Sequence, residues 1–314
     1  MNRIAVIGDT ALDFSYFTHL SGELSAETGL PVNYIDKVFY DAGGAGNLAS
    51  NVAALEREVD LYGICGDDFW AELLITKLQE NGVETEHFHK AKKAETYVYH
   101  RIFDEKGKEL PRYDHGQGCM YEDSETMKLL DELEKDIDGY SALIINQQLS
   151  NSIHTSAVSE RLNTIISKTS IPVWLDTRSK IMYSGCSYKI NYKEAVLLTG
   201  KETPEECAST IYAAYHQTKK ENYVVVTLGE NGAVAFDGER FARCKGIAVE
   251  GETDTIGCGD AFQAAICCAL CEEKTIEKAL QYANCAGSVC SKSIHCCGHP
   301  TKRDVETLYE TLSF

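Results

Sequence analysis

The chain has 314 residues, with 30 Lys and Arg against 48 Asp and Glu and a net charge of −18. That length fits one large α/β domain or two small ones, and 44% hydrophobic residues allow a sizeable core. The acidic balance argues against a nucleic-acid partner or an anionic membrane surface, and no apolar run reaches the length of a membrane span.

In chain order, residues 4–8 read as a buried strand close to the start, without a signal-peptide pattern. Residues 61–66, 142–146, 173–176 and 223–228 are the further strand candidates. Residues 47–55, 69–81, 124–137, 156–167, 204–219, 261–271 and 276–290 carry helical periodicity. Alternation of this kind predicts an α/β fold, a mostly parallel sheet with helices on both faces. Ligands then sit beyond the carboxyl ends of the strands. Residues 13–40 and 96–114 break the rhythm. Val32, Tyr34, Val38 and Tyr40 suggest extended segments in the first, and Tyr97, Tyr99 and Phe103 mark the second. Together they are expected to form a small antiparallel sheet over the site, a lid that excludes water, with ordinary surface hairpins as the alternative. No repeat or linker appears, so residues 1–314 are expected to form a single domain with that lid. The 13 scattered cysteines read as small buried hydrophobes in a reducing cytoplasm.

Several clusters carry chemistry. Asp13 follows the first strand in Gly8-Asp-Thr-Ala-Leu-Asp13, where a carboxylate can accept from vicinal hydroxyls or simply close an Asx turn. Gly43-Gly-Ala-Gly-Asn47 precedes a helix; its glycines allow close approach of backbone to a ligand, and Asn47 can donate and accept toward sugar hydroxyls. A plain strand-to-helix turn explains these glycines equally. Asn191-Tyr-Lys-Glu194 opens a helical stretch ending near Gly200. An amide and a carboxylate at i and i+3 can hold the water shell of Mg2+, which takes few protein ligands.

The most specific stretch is Asp254-Thr-Ile-Gly-Cys-Gly-Asp260, in front of an apolar helix. Glycines before a helix start gather free N–H groups where the macrodipole is positive, a seat for phosphate. Asp260 beside that seat has a task if it takes a proton from a hydroxyl attacking a γ-phosphate. A glycine turn capped by an aspartate is the plain alternative.

This segment resembles the Asp-Thr-x-Gly-Ala-Gly-Asp signature of the ribokinase-like (PfkB) sugar kinases, with Cys258 in place of alanine. The resemblance runs from the first strand to the last helix. It implies a ribokinase-like three-layer sandwich with a small β lid, and ATP-dependent phosphorylation of a sugar or sugar phosphate. By this likeness Asp260 is the base, and Gly257, Cys258 and Gly259 supply backbone N–H groups to the transferring phosphoryl. Asp13, Gly43, Gly44 and Asn47 bind the substrate. Thr227, Gly229 and Gly232 face the nucleotide phosphates, a hairpin turn being the alternative, and Asn284 lines the adenine pocket. Asn191 and Glu194 match the Asn-x-x-Glu motif that serves nucleotide and Mg2+. Asp254 borders a monovalent-cation site, which makes K+ a candidate cofactor beside ATP and Mg2+. Gln148 stands where ribokinase places an acidic sugar ligand.

Within the family, Leu24-Ser-Ala-Glu-Thr-Gly-Leu-Pro-Val32 and Glu109-Leu-Pro-Arg-Tyr-Asp114 resemble segments of bacterial heptose-7-phosphate kinases, and Arg112 would then meet a substrate phosphate. The prolines expected around Ser25 and Thr28 are absent, as is the His-x-Gly-His motif of the partner domain in bifunctional forms. His295-Cys-Cys-Gly-His299 lacks the usual zinc spacing. A nucleoside kinase, with Tyr16, Phe17 and Tyr34 against the base, and a non-catalytic sugar sensor are the competing readings. Neither a P-loop nor a dinucleotide fingerprint is present. A homodimer through the lid is a further expectation, since exposed sheets invite pairing.

Overall fold

The structure, a computed structural model, describes residues 2–117, 121–149, 152–178, 182–216 and 221–312. β1 (Arg3–Gly8) enters the main sheet. The chain leaves it through β2 (Thr10–Leu24) and β3 (Pro31–Gly44), then returns by α1 (Ala45–Ala54) to β4 (Glu58–Gly66). α2 (Phe69–Glu80) and β5 (Phe88–Ala91) complete that side, and β6 (Val98–Phe103) and β7 (Tyr113–His115) make a second excursion. There follow α3 (Asp123–Asp136), β8 (Ala142–Gln147), α4 (Ser156–Lys168), β9 (Val173–Thr177), β10 (Ser187–Asn191) and α5 (Tyr192–Thr199). The remainder is α6 (Pro204–Tyr215), β11 (Val224–Thr227), β12 (Ala233–Phe236), β13 (Phe241–Cys244), α7 (Cys258–Cys271), α8 (Ile276–Cys290) and α9 (Lys302–Thr311).

The main sheet has nine strands in the order β13-β12-β11-β10-β9-β8-β1-β4-β5. From β11 to β5 every pairing is parallel; only β12 and β13 are antiparallel additions. Alternation along the strands feeds two cores. Ile4, Val6, Val59, Leu61, Ala142, Ile144 and Trp174 point into one, with α1, α2, α7, α8 and α9. Ala5, Ile7, Tyr62, Ile64, Leu143, Ile145 and Leu175 point into the other, with α3 to α6. Burial on both faces is why these strands read as continuous apolar runs. Several helices begin on a cap: Asp68, Thr155, Thr203 and Thr301 each accept an N–H of the first turn.

The smaller sheet has the order β3-β2-β6-β7. It is not wholly antiparallel as expected: β2 and β6 run parallel, Leu12 to Phe17 against Val98 to Phe103. Both strands follow a parallel strand of the main sheet and leave from the same carboxyl edge, so they point the same way. Two helices also start earlier than their apolar pattern. α1 begins at Ala45 and α7 at Cys258, because small and polar residues that carry no periodicity occupy their first turns. α6 ends at Tyr215, and residues 217–219 of that expected helix lie outside the described residues. No helix among the described residues is long and apolar enough to cross a membrane, and each cysteine among them is a free thiol.

Candidate active site

A cavity of about 1720 Å³ opens at the carboxyl ends of the parallel strands, between the two sheets and the start of α7. Its size admits two ligands side by side. Gly257 caps α7 in the left-handed region, φ 73°, so Cys258, Gly259 and Asp260 are its first three residues. A Cβ at Gly257 would strain this φ and meet the Asn47 Nδ2 at 3.2 Å. The Cys258 N–H is turned toward the Thr255 carbonyl at 3.3 Å. The N–H groups of Gly259 and Asp260 lie in the first turn, which lacks acceptors within the helix.

The Asp260 carboxylate is held from two sides. Oδ2 accepts from Asn47 Nδ2 at 2.5 Å, and Oδ1 accepts from Gln148 Nε2 at 3.1 Å. Loss of water raises its pKa to about 6, with Asp176 adding to the rise; Lys189, Asn47 and Arg178 oppose it. Asn47 sits in the first turns of α1, where its Oδ1 accepts from Asn51 Nδ2 at 3.2 Å and meets His299 Nε2 at 3.0 Å. The Gln148 main chain is fixed by Asp9, a buried carboxylate that also accepts from Leu149 N, Ser152 Oγ and Ile153 N at 2.8–3.0 Å.

Asp13 projects from β2 into the same space, and its pKa is likewise raised to about 6 by burial, against the Cys297 thiol and Arg101. Cys297 Sγ donates to its Oδ2 at 3.6 Å. Gly43 is pressed against it: a Cβ there would lie 2.5 Å from Asp13 Oδ2. Gly44 lines the cavity, whereas Gly43 backs Asp13.

Farther out, Arg112 gives its fork to Asp114, Nε to Oδ1 at 2.7 Å and Nη2 to Oδ2 at 2.8 Å, and lies over the Tyr99 ring. Arg101 makes the same kind of pair with Glu109, at 3.0 and 2.8 Å. Both arginines line the cavity with their guanidinium groups already partnered.

On the opposite side, Asn191, Glu194, Thr227, Gly229, Gly232 and Asn284 all line the cavity. Asn191 is the cap of α5 rather than a residue within it. Its Oδ1 accepts from Glu194 N at 3.0 Å, and Glu194 Oε2 accepts from Asn191 N at 3.3 Å. Asn284 donates to the Lys245 carbonyl at 2.7 Å. Asp254 accepts from Ile256 N at 3.1 Å and His295 N at 3.0 Å, and Ser15 Oγ on β2 donates to the His295 carbonyl at 2.8 Å. His295 and His299 face different partners, and no group of three or more metal-ligating side chains occurs among the described residues.

The sequence reading did not single out Asp9, Arg101, Asp176, Arg178 or Lys189. Lys189 is buried in β10, its Nζ donating to Asp176 Oδ2 at 2.7 Å and to the Gly259 carbonyl at 3.3 Å. The available signal was a lysine between Tyr188 and Ile190, a charge where neighbours ask for burial. Arg101, Arg112, Arg178 and Lys189 bring cations into this cavity although the chain as a whole is acidic.

The family profile described as pfkB family carbohydrate kinase matches residues 1–302. The chain is 28% identical over 292 residues to the bifunctional protein HldE of a Nitratiruptor species, covering 91% of this chain and 61% of that protein. It thus spans less than two thirds of that relative's length. Among solved structures, an Arabidopsis thaliana ribokinase complexed with ribose and ATP superposes with a TM-score of 0.77 at 20% identity, covering 98% of this chain and 99% of that one. A candidate ribokinase II from E. coli in complex with ATP and Mg2+ gives 0.74 at 16% identity, covering 99% and 100%.

Proposed function

The chain belongs to the pfkB family of carbohydrate kinases, and from that premise we propose that it moves the terminal phosphoryl of ATP onto a hydroxyl of a sugar or sugar phosphate, with Asp260 accepting the proton. The meeting of the Asp260 carboxylate with the Gly257–Asp260 turn carries this reading. An alcohol held on Asp13 and Asn47 lies within reach of that carboxylate, and the N–H groups of Gly257, Cys258 and Gly259 neutralise charge growing on the phosphoryl oxygens. For Cys258 this requires its N–H to turn from the Thr255 carbonyl. The transition state is loose, so placement and charge stabilisation supply most of the rate. Asp260 need only be ionised and in contact with the hydroxyl.

Thr227, Gly229, Gly232, Asn191 and Asn284 would take the nucleotide. Asn191 and Glu194 fit a cation held through water, since Glu194 lines the cavity and only its Oε2 is engaged at the cap. Bound Mg2+ would there neutralise the phosphates of ATP. Asp254 would add a carboxylate to a monovalent cation such as K+.

The smaller sheet is read as a lid of the single domain, shielding the phosphoryl from water. The resemblance of residues 24–32 and 109–114 to heptose-7-phosphate kinase segments favours a phosphorylated sugar, with Arg112 and Arg101 exchanging Asp114 and Glu109 for its phosphate. Gln148 would then serve the base as much as the sugar. The free thiols suit a reducing cytoplasm. The deciding experiment is ADP release across matched sugars, sugar phosphates and nucleosides. Turnover confined to nucleosides, or sugar-dependent thermal stabilisation without any ADP, would reject the proposal.

A further inference from the structure

We infer that His299 is a positioning residue: its Nε2–H locks the Asn47 amide so that Asn47 shows Asp260 its N–H face and never its carbonyl. The two residues are 252 positions apart, and the ring reaches Asn47 Oδ1 at 3.0 Å. Asn47 Nδ2 is committed to Asp260 Oδ2, which makes Oδ1 the acceptor and requires the proton on Nε2 of His299. Asn51 also donates to that oxygen, but at 3.2 Å and with the same Nδ2 that donates to the Asn47 main-chain carbonyl at 2.9 Å. The Nε2 of His299, by contrast, meets only the Asn47 side chain, while its Nδ1 lies 3.8 Å from Asp41 Oδ2. Burial lowers its pKa, with Asp41 opposing, which favours a neutral ring.

The consequence rests on the reading of Asp260 as proton acceptor. While Asp260 is ionised, its charge alone repels a flipped amide. Once it carries the proton, that repulsion ends, and a free amide could rotate so that its carbonyl accepts the new O–H. The proton would then be held in place and the base would be slow to reset. A donor fixed on Asn47 Oδ1 throughout the cycle prevents this.

The direct test is nitrogen NMR of the full chain with labelled histidine, assigned by loss of the resonance in His299→Gln. A protonated Nε2 is expected; a bare Nε2 with the proton on Nδ1 overturns the inference. This readout needs no turnover, so it stands even if Asp260→Asn shows that Asp260 is not the base. Kinetics supply the second arm. His299→Leu should lower kcat by about 3- to 10-fold, the size of one hydrogen bond, while His299→Gln, which keeps an N–H donor, recovers most of the loss. KM for ATP should stay within about twofold in both, as no nucleotide contact is removed. Equal losses in the two variants, or none in His299→Leu, would contradict the assignment.

Discussion

Asn47 and Asp260 are 213 residues apart in the chain, and their amide and carboxylate meet at 2.5 Å. One side chain belongs to α1, the other to the third residue of α7, and both helices pack on the same face of the main sheet. The carboxylate is held only because that face assembles correctly. Replacing it isolates its chemistry from its packing. Asp260→Asn keeps the size and the Gln148 and Asn47 neighbours but cannot take a proton. Turnover should fall by about 10²- to 10⁴-fold, with ATP affinity measured by titration nearly unchanged. A variant retaining near-normal kcat would remove Asp260 from the role of base.

The pH profile follows from the same burial. Asp260 and Asp13 are each raised to about 6 by loss of water. In the proposed roles both must be ionised, Asp260 to accept the proton and Asp13 to bind hydroxyls. Activity should therefore be lost as pH falls through about 6, and kcat/KM should drop more steeply than a single ionisation allows. A flat profile down to about pH 5 would show that neither carboxyl titrates as its burial implies.

Lys189 and Asp176 act on Asp260 in opposite senses, the ammonium favouring its ionised form and the carboxylate disfavouring it. Lys189→Met should move the acid limb to higher pH, and Asp176→Asn should move it to lower pH. Lys189→Met also leaves Asp176 buried and unpaired, at a cost of about 3–5 kcal/mol in denaturant unfolding. Limbs shifting the same way in both variants would contradict this electrostatic account.

Gly43 is a steric probe of the proposed sugar end. A Cβ at this position would press on Asp13 Oδ2 at 2.5 Å. Gly43→Ala should raise KM for the acceptor by about tenfold, roughly 1.4 kcal/mol of lost binding, and leave KM for ATP alone. Equal effects on both substrates would indicate general damage to the fold.

The smaller sheet and its connecting turn expose large apolar residues, Leu20 at 66%, Leu24 at 65%, Leu30 at 65% and Ile35 at 58%. Long strands with such side chains invite a second copy. A dimer is expected in sedimentation velocity, and Leu24→Lys combined with Ile35→Lys should dissociate it. Wild-type protein that stays monomeric at tens of micromolar would end the idea.

Much of this was legible in the residues. Asp254–Asp260 foretold the glycine turn at a helix start with an acid beside it, since glycine spacing and a following apolar run are local signals. The buried strands were visible because parallel strands are apolar on both faces. β10 was not, as Ser187-Tyr-Lys-Ile-Asn191 is short and half polar, and Lys189 makes sense only beside Asp176. The parallel pairing of β2 with β6 depends on contacts far apart in the chain. Arg112 was visible as a donor, but its engagement with Asp114 depends on side-chain rotamers. His299 stood out only in a His/Cys cluster without zinc spacing; the partner it found, Asn47, lies in another part of the sequence.

Ser15 holds the His295 carbonyl, and the His295 N–H holds Asp254. These two bonds strap the outer sheet to the segment leading into the glycine turn. An outward swing of β2 must snap the strap or tug on Asp254. A displacement of β2 would thus be carried across a hydroxyl and a peptide group to the head of the glycine turn.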